Sequence, residues 1–270
     1  MATPRFIARA EAKNLRLEIW INSIPAALIA PGESVGIVSV PLNEFITPGK
    51  NRLGAMLHAG PLATRSAEPW SNDPAAATYA GLASLRLRLG VYASGESVLR
   101  ADPEPALVAI DWEGAAEAVP LPIGREFEGV DAMGRWAWQD ATQLDLSQGP
   151  VREAAWAYLK RLHEMLAGGR FEEYLEESSI KIEEYARAYG IASGPVQRNM
   201  LQALQSETSR MQLRPLALDD TDLRLVASRR MIQCLRTNRH HALEFAGSGK
   251  ETFFLPAMIG LTSSGWRLLR

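Results

Sequence analysis

The apolar pattern of this chain changes period at Gly149-Pro150, and that change limits what the chain can fold into. Before it, hydrophobic residues recur at every second position; after it, they recur at spacings of three and four. A period of two marks a strand with one buried face, because successive side chains leave a pleated backbone on opposite sides; a period near 3.6 marks a helix. The expected fold is therefore two-domain: a β-sandwich domain over 1–148, followed by an α+β domain over 149–270 with three helices packed on an antiparallel sheet.

Leu82–Tyr92 is the clearest strand, with Leu85, Leu87, Leu89 and Val91 on one face and Arg86 and Arg88 on the other. Similar alternation predicts strands over 5–12, 15–21, 34–40, 52–57, 106–112, 118–123 and 135–139, with Lys13-Asn14 as a hairpin between the first two. Pro31-Gly32 and Pro48-Gly49 introduce two of them as turns. Short strands at this spacing suggest a sandwich. Residues 59–80, long and poorly periodic, are either a binding loop or an excursion covering a sheet edge.

Beyond the boundary, Val151, Ala155, Tyr158, Leu159, Leu162, Met165 and Leu166 recur at helical spacing up to Gly168-Gly169. A second helix is expected over 171–189, with Tyr174, Tyr185 and Tyr189 on its inward face and its glutamates mostly in solvent. Ser193-Gly194-Pro195 opens a third, with proline near the first helical position, where its missing N–H costs little. Strands follow over 213–218, 222–227, 231–235, 242–245, 252–259 and 266–269.

Charge narrows the partners. The formal net charge is −2, without the excess of Lys and Arg expected of a nucleic-acid or polybasic membrane binder. Residues 1–148 carry 12 basic and 17 acidic side chains and residues 149–270 carry 17 and 14, a split that supports two units. Cys234 is the only cysteine, so no intramolecular disulfide can form. No uncharged apolar run approaches the ~18 residues of a membrane span, and the first twelve residues lack a signal-peptide core; the expected localisation is cytoplasmic, without a membrane partner.

No residue cluster reaches a catalytic or metal-binding signature. Residues 246–252, AGSGKET, resemble a phosphate loop but place Glu244 where the first glycine is required and Glu251 after the lysine, so a Gly-Ser-Gly hairpin turn is expected. His240 and His241, with Cys234, lack metal-site spacing, and adjacent side chains on an extended segment diverge; no metal or cofactor is expected. His163 lies beside the apolar stripe of the first helix. With Tyr185 and Tyr189 it is the candidate set for proton transfer in a pocket. Arg224, Arg229 and Arg230 are the candidate binding residues, within a basic group that includes Arg236 and Arg239. They suit an acidic partner, and a solvated sheet face accounts for them equally well.

The stretch IWINSIPA with PLNEFITPGKNRLGAML, residues 19–57, resembles a galactose-binding-like β-sandwich module, in which Asn22 and Asn51 sit in turns. That resemblance implies a fold and does not imply sugar binding. The paired helices, third helix and terminal SGWRLLR make residues 150–270 similar to the cone-shaped fold of the nuclear transport factor and ketosteroid isomerase-like superfamily, which hosts enzymes and structural proteins alike. The chain departs from that group in having no strand before the third helix. The expectation from all of this is a non-catalytic binding or protein-interaction protein of the bacterial immunity or adaptor kind, with another protein as partner. The rival expectation is a small-molecule isomerase, cyclase or hydrolase with its pocket in the second domain.

Overall fold

The computed structural model describes residues 3–29, 35–58, 81–93, 105–115, 121–129, 134–249 and 251–270. The chain mixes antiparallel sheets with helices and divides into two compact units. Among the described residues, the first unit takes in those up to Arg135 with Ala188–Gly190; the second comprises Trp136–Arg187 and Ile191–Arg270. The segment 59–80 lies outside the described residues.

In the first unit, β1 (Arg5–Lys13), β4 (Gly36–Pro41), β6 (Leu82–Tyr92) and β7 (Val108–Ala115) form one sheet in the order β4-β1-β6-β7. A second sheet, in the order β3-β2-β5-β8, contains β2 (Arg16–Ile21), β3 (Ile24–Ile29), β5 (Lys50–His58) and β8 (Leu121–Glu128). The period of two is visible in burial: Phe6, Ala8, Ala10 and Ala12 of β1 and Ala83, Leu85, Leu87 and Leu89 of β6 are buried, whereas Arg5, Lys13 and Arg86 are exposed.

Lys13-Asn14 is not a hairpin. β1 and β2 belong to different sheets, so the chain turns a corner there, with Asn14 at a φ of 52° and its Nδ2 donating to the Leu82 carbonyl at 2.9 Å. The hairpin lies one strand later. Asn22 and Ser23, at φ of 52° and 64°, connect β2 to β3, a strand the alternation did not reveal. Two positive φ values in a two-residue loop match the right-handed twist of the flanking strands. The Asn22 amide also donates to the Phe45 carbonyl at 2.9 Å and to Asn51 Oδ1 at 2.7 Å. Asn51 in turn accepts from the Thr47 N–H at 2.8 Å and donates to the Thr47 and Gly49 carbonyls. Gly49, at a φ of +73°, supplies the left-handed step that this turn needs.

The second unit opens with α1 (Ala137–Asp140), a short helix where alternation predicted a strand over 135–139. α2 (Gly149–Ala167) carries Pro150 in its first turn and ends at Gly168-Gly169, as the sequence implied. The second expected helix is two: α3 (Phe171–Glu177) and α4 (Ser179–Tyr189). The fully buried Ser178 separates them, its hydroxyl donating to the Tyr174 carbonyl at 2.8 Å, and such back-bonding by serine bends a helix. α5 is Ser193–Thr208.

The strands that follow are β9 (Gln212–Leu213), β10 (Thr221–Val226), β11 (Met231–Arg236), β12 (Leu243–Ala246), β13 (Thr252–Leu255), β14 (Met258–Thr262) and β15 (Gly265–Leu268). They form the sheets β10-β11-β14-β15 and β13-β12-β9. Prolines account for two departures from expectation. Pro215 follows β9 after one residue, where a strand to 218 was expected, and Pro256 divides the expected strand 252–259. β12 and β13 pair in register around the expected turn at Gly247-Ser248-Gly249. One continuous apolar core, including Leu159, Leu162, Tyr174, Ile232, Cys234 and Phe245, joins the helices to the sheets.

Candidate functional site

On the first unit, a groove with a cavity volume of 410 Å³ lies over β1, β6 and β7. Glu11, Ser84, Arg86, Asp111 and Glu113 line it together with Trp112, and Val35 closes the end beside β4. Strand register explains why these residues meet. Glu11, Arg86 and Asp111 are direct cross-strand partners in one row, and Ser84 faces Glu113 in another. Side chains in such rows stand within reach of one another, so opposite charges pair sideways.

Arg9 donates to Glu11 Oε1 at 3.0 Å, and Arg86 Nη1 stands 3.9 Å from Glu11 Oε2. Arg88 holds both oxygens of Asp111, at 2.7 and 2.9 Å, and also donates to the Leu87 and Ile110 carbonyls. The result is a lattice of planar donors and acceptors fixed on rigid strands. Gly114 keeps room for Trp112, because a β-carbon there would come within 2.8 Å of the indole. Arg86 and Arg88 are recognisable in sequence as the polar face of a strand. Glu11 and Asp111 are not, because only the register brings them beside it.

The residues singled out from sequence occupy separate surroundings. His163, on α2, has Nε2 at 2.9 Å from the Arg214 carbonyl. Tyr185 is 42% exposed, where the helical pattern placed it inward. Tyr189 belongs to the first unit and donates to Glu44 at 2.6 Å. Arg224 lies on β10 opposite Gln233. Arg229 Nε donates to the Leu144 carbonyl at 3.0 Å while its Nη2 pairs with Asp145 at 3.3 Å, and Arg230 donates to the Ala141 carbonyl. Arg229 and Arg230 thus hold the segment between α1 and α2.

Two further polar clusters in the second unit escaped the sequence. Glu184 was expected in solvent, yet it is buried. It accepts from the Ala137 N–H at 2.6 Å and from Arg270, whose guanidinium lies 5.4 Å from the centre of the fully buried Trp136 ring. Glu244 is likewise buried on β12, 3.2 Å from His240 Nδ1 and 3.5 Å from Arg214 Nε. Burial pushes its carboxyl up, but the hydrogen bond from His240 and the charges of His240, Arg214 and Arg236 outweigh this and hold it below the usual carboxylate range. His241 points elsewhere and stacks on Phe254. Cys234 is buried in the apolar core, which pushes its thiol up and leaves it protonated.

Among the described residues, no three His, Cys, Asp or Glu side chains gather as metal ligands, and no helix is long and apolar enough to cross a membrane. No protein-family model matches this chain, and no curated protein or solved structure matches it either.

Proposed function

We propose that this chain is a non-catalytic binding or protein-interaction protein that offers the groove on its β4-β1-β6-β7 sheet to a partner protein. The observation that carries the reading is the row of Glu11, Arg86 and Asp111, paired among themselves and with Arg9 and Arg88, at a 410 Å³ concavity that Glu113 and Trp112 also line. Side chains already ordered by cross-strand pairs lose little further freedom on binding, which favours recognition by shape and charge pattern. In this reading the chain is a galactose-binding-like sandwich followed by a cone-like α+β module, of the immunity or adaptor kind and cytoplasmic. Arg224 is a second contact for an acidic partner, beside the clamped Arg229 and Arg230.

The test is site-specific photo-crosslinking from position 84 in cells, with position 198 on α5 as the control. A single protein captured at the groove is then titrated against the purified chain and against the double variant Arg86→Glu, Glu113→Lys. The reading expects at least a tenfold loss of affinity in the variant. Equal affinity for both proteins would sink it.

The Glu244–His240 pair favours a second reading, a small-molecule isomerase, cyclase or hydrolase acting in the second unit. A buried carboxylate that orients an imidazole beside a guanidinium is a common arrangement for moving protons. A metabolite-turnover screen decides this reading. Turnover that falls at least a hundredfold in His240→Gln or in His163→Ala supports it, and turnover indifferent to both substitutions removes it.

A further inference from the structure

β13 is the outer strand of its sheet and only four residues long, so its own ladder holds it weakly. One of its faces places Phe253 against Phe245, ring centres 6.2 Å apart; on the other, Phe254 is 49% exposed. The His241 ring covers Phe254 at 4.4 Å between centres with only 9° between planes. Directly after the strand, the Pro256 carbonyl accepts from Lys181 Nζ of α4 at 3.0 Å. The strand is therefore held from outside by one imidazole and one ammonium group.

The charged and titratable groups facing His241 are Lys181 from α4, Glu244 from β12, and His240 beside it. Burial holds the imidazole uncharged, and Lys181 and His240 add to that effect while Glu244 opposes it; the result is a value of about 4. A phenyl face attracts a cation, but the desolvation and the neighbouring ammonium outweigh that attraction here.

We propose that His241 is a proton-operated latch on β13: uncharged, it stacks on Phe254 and keeps the strand in the sheet; protonated, it leaves the ring and the strand opens. A histidine with its folded value depressed gives stability that is complete above its ordinary value of 6.5 and is lost as pH falls toward about 4. The Glu244 carboxyl, held below its usual range, remains ionised through most of this window.

Amide hydrogen exchange on the full chain tests this, with the protection of Phe253, Phe254 and Leu255 compared with that of β11 at about pH 7 and about pH 4.5. The expected result is a loss of protection in β13 of roughly 50-fold relative to β11. In His241→Phe, which keeps the stack without the proton, β13 protection should no longer depend on pH. Parallel changes in β13 and β11, or an undiminished drop in His241→Phe, would overturn the latch. A ring titration of His241 in the unaltered protein gives a second reading independent of the variant. A midpoint below pH 5, with β13 protection falling between about pH 6.5 and that midpoint, supports the proposal, and a midpoint near 6.5 overturns it.

Discussion

Charge is arranged in opposite ways around two arginines, Arg88 in the first unit and Arg236 in the second. On the β4-β1-β6-β7 sheet, Arg88 and Asp111 meet across neighbouring strands at 2.7 Å with the carboxylate side chain 63% exposed. In the second unit, the Arg236 side chain is 6% exposed and donates to Asp220 and to the carbonyls of Arg214, Pro215 and Ala242. The first arrangement leaves the Asp111 carboxylate in water, where pairing contributes little to stability. The second ties a buried cation to backbone, so its removal exposes a fold-level cost.

The contrast is sharpest where burial is greatest. Trp136→Ala should destabilise the second unit by roughly 3–5 kcal/mol, because it empties the site beneath Arg187 and Arg270. Urea denaturation followed by hydrogen exchange in β10 and β11 measures this; a loss below about 1 kcal/mol would mean the ring is replaceable. Arg236→Met should cost about 3 kcal/mol in the same experiment, since three carbonyls lose a donor. In the first unit a large polar effect belongs to Asn51 at the start of β5. Asn51→Ala should cost about 1–3 kcal/mol, read from exchange in β5, because Thr47 and Asn22 both lose their partner. Arg86→Gln should change stability by less than about 0.5 kcal/mol in any such measurement. If it destabilised the first unit as strongly as Arg236→Met does the second, the distinction between the two arrangements would fail.

What could be read from the chain alone followed from local geometry. Alternation in Leu82–Tyr92, Pro150 in the first turn of α2 and Gly190 after α4 each act within a few residues, so strands and helix ends were visible. Ser178 was not, because a serine that breaks a helix differs from one that rides its surface only in what it bonds. Glu184 sits among glutamates, and nothing local marks it as the one that meets Arg270. The groove was least legible of all. Glu11, Arg86 and Asp111 lie far apart along the chain, and their adjacency depends on which strands pair and in what register.

The amides of Asn22 and Asn51 carry a consequence for descent. Asn22 stands in the turn after β2 and Asn51 at the start of β5, yet one donates to the other, and Arg52 N–H returns to Asn22 Oδ1 at 3.0 Å. A mutation at either position strands a partner at the other, so lineages should lose or keep them together, with Thr47 as the third member of the set. In a distant cousin, this correlated trio would outlast the resemblance of the strands around it.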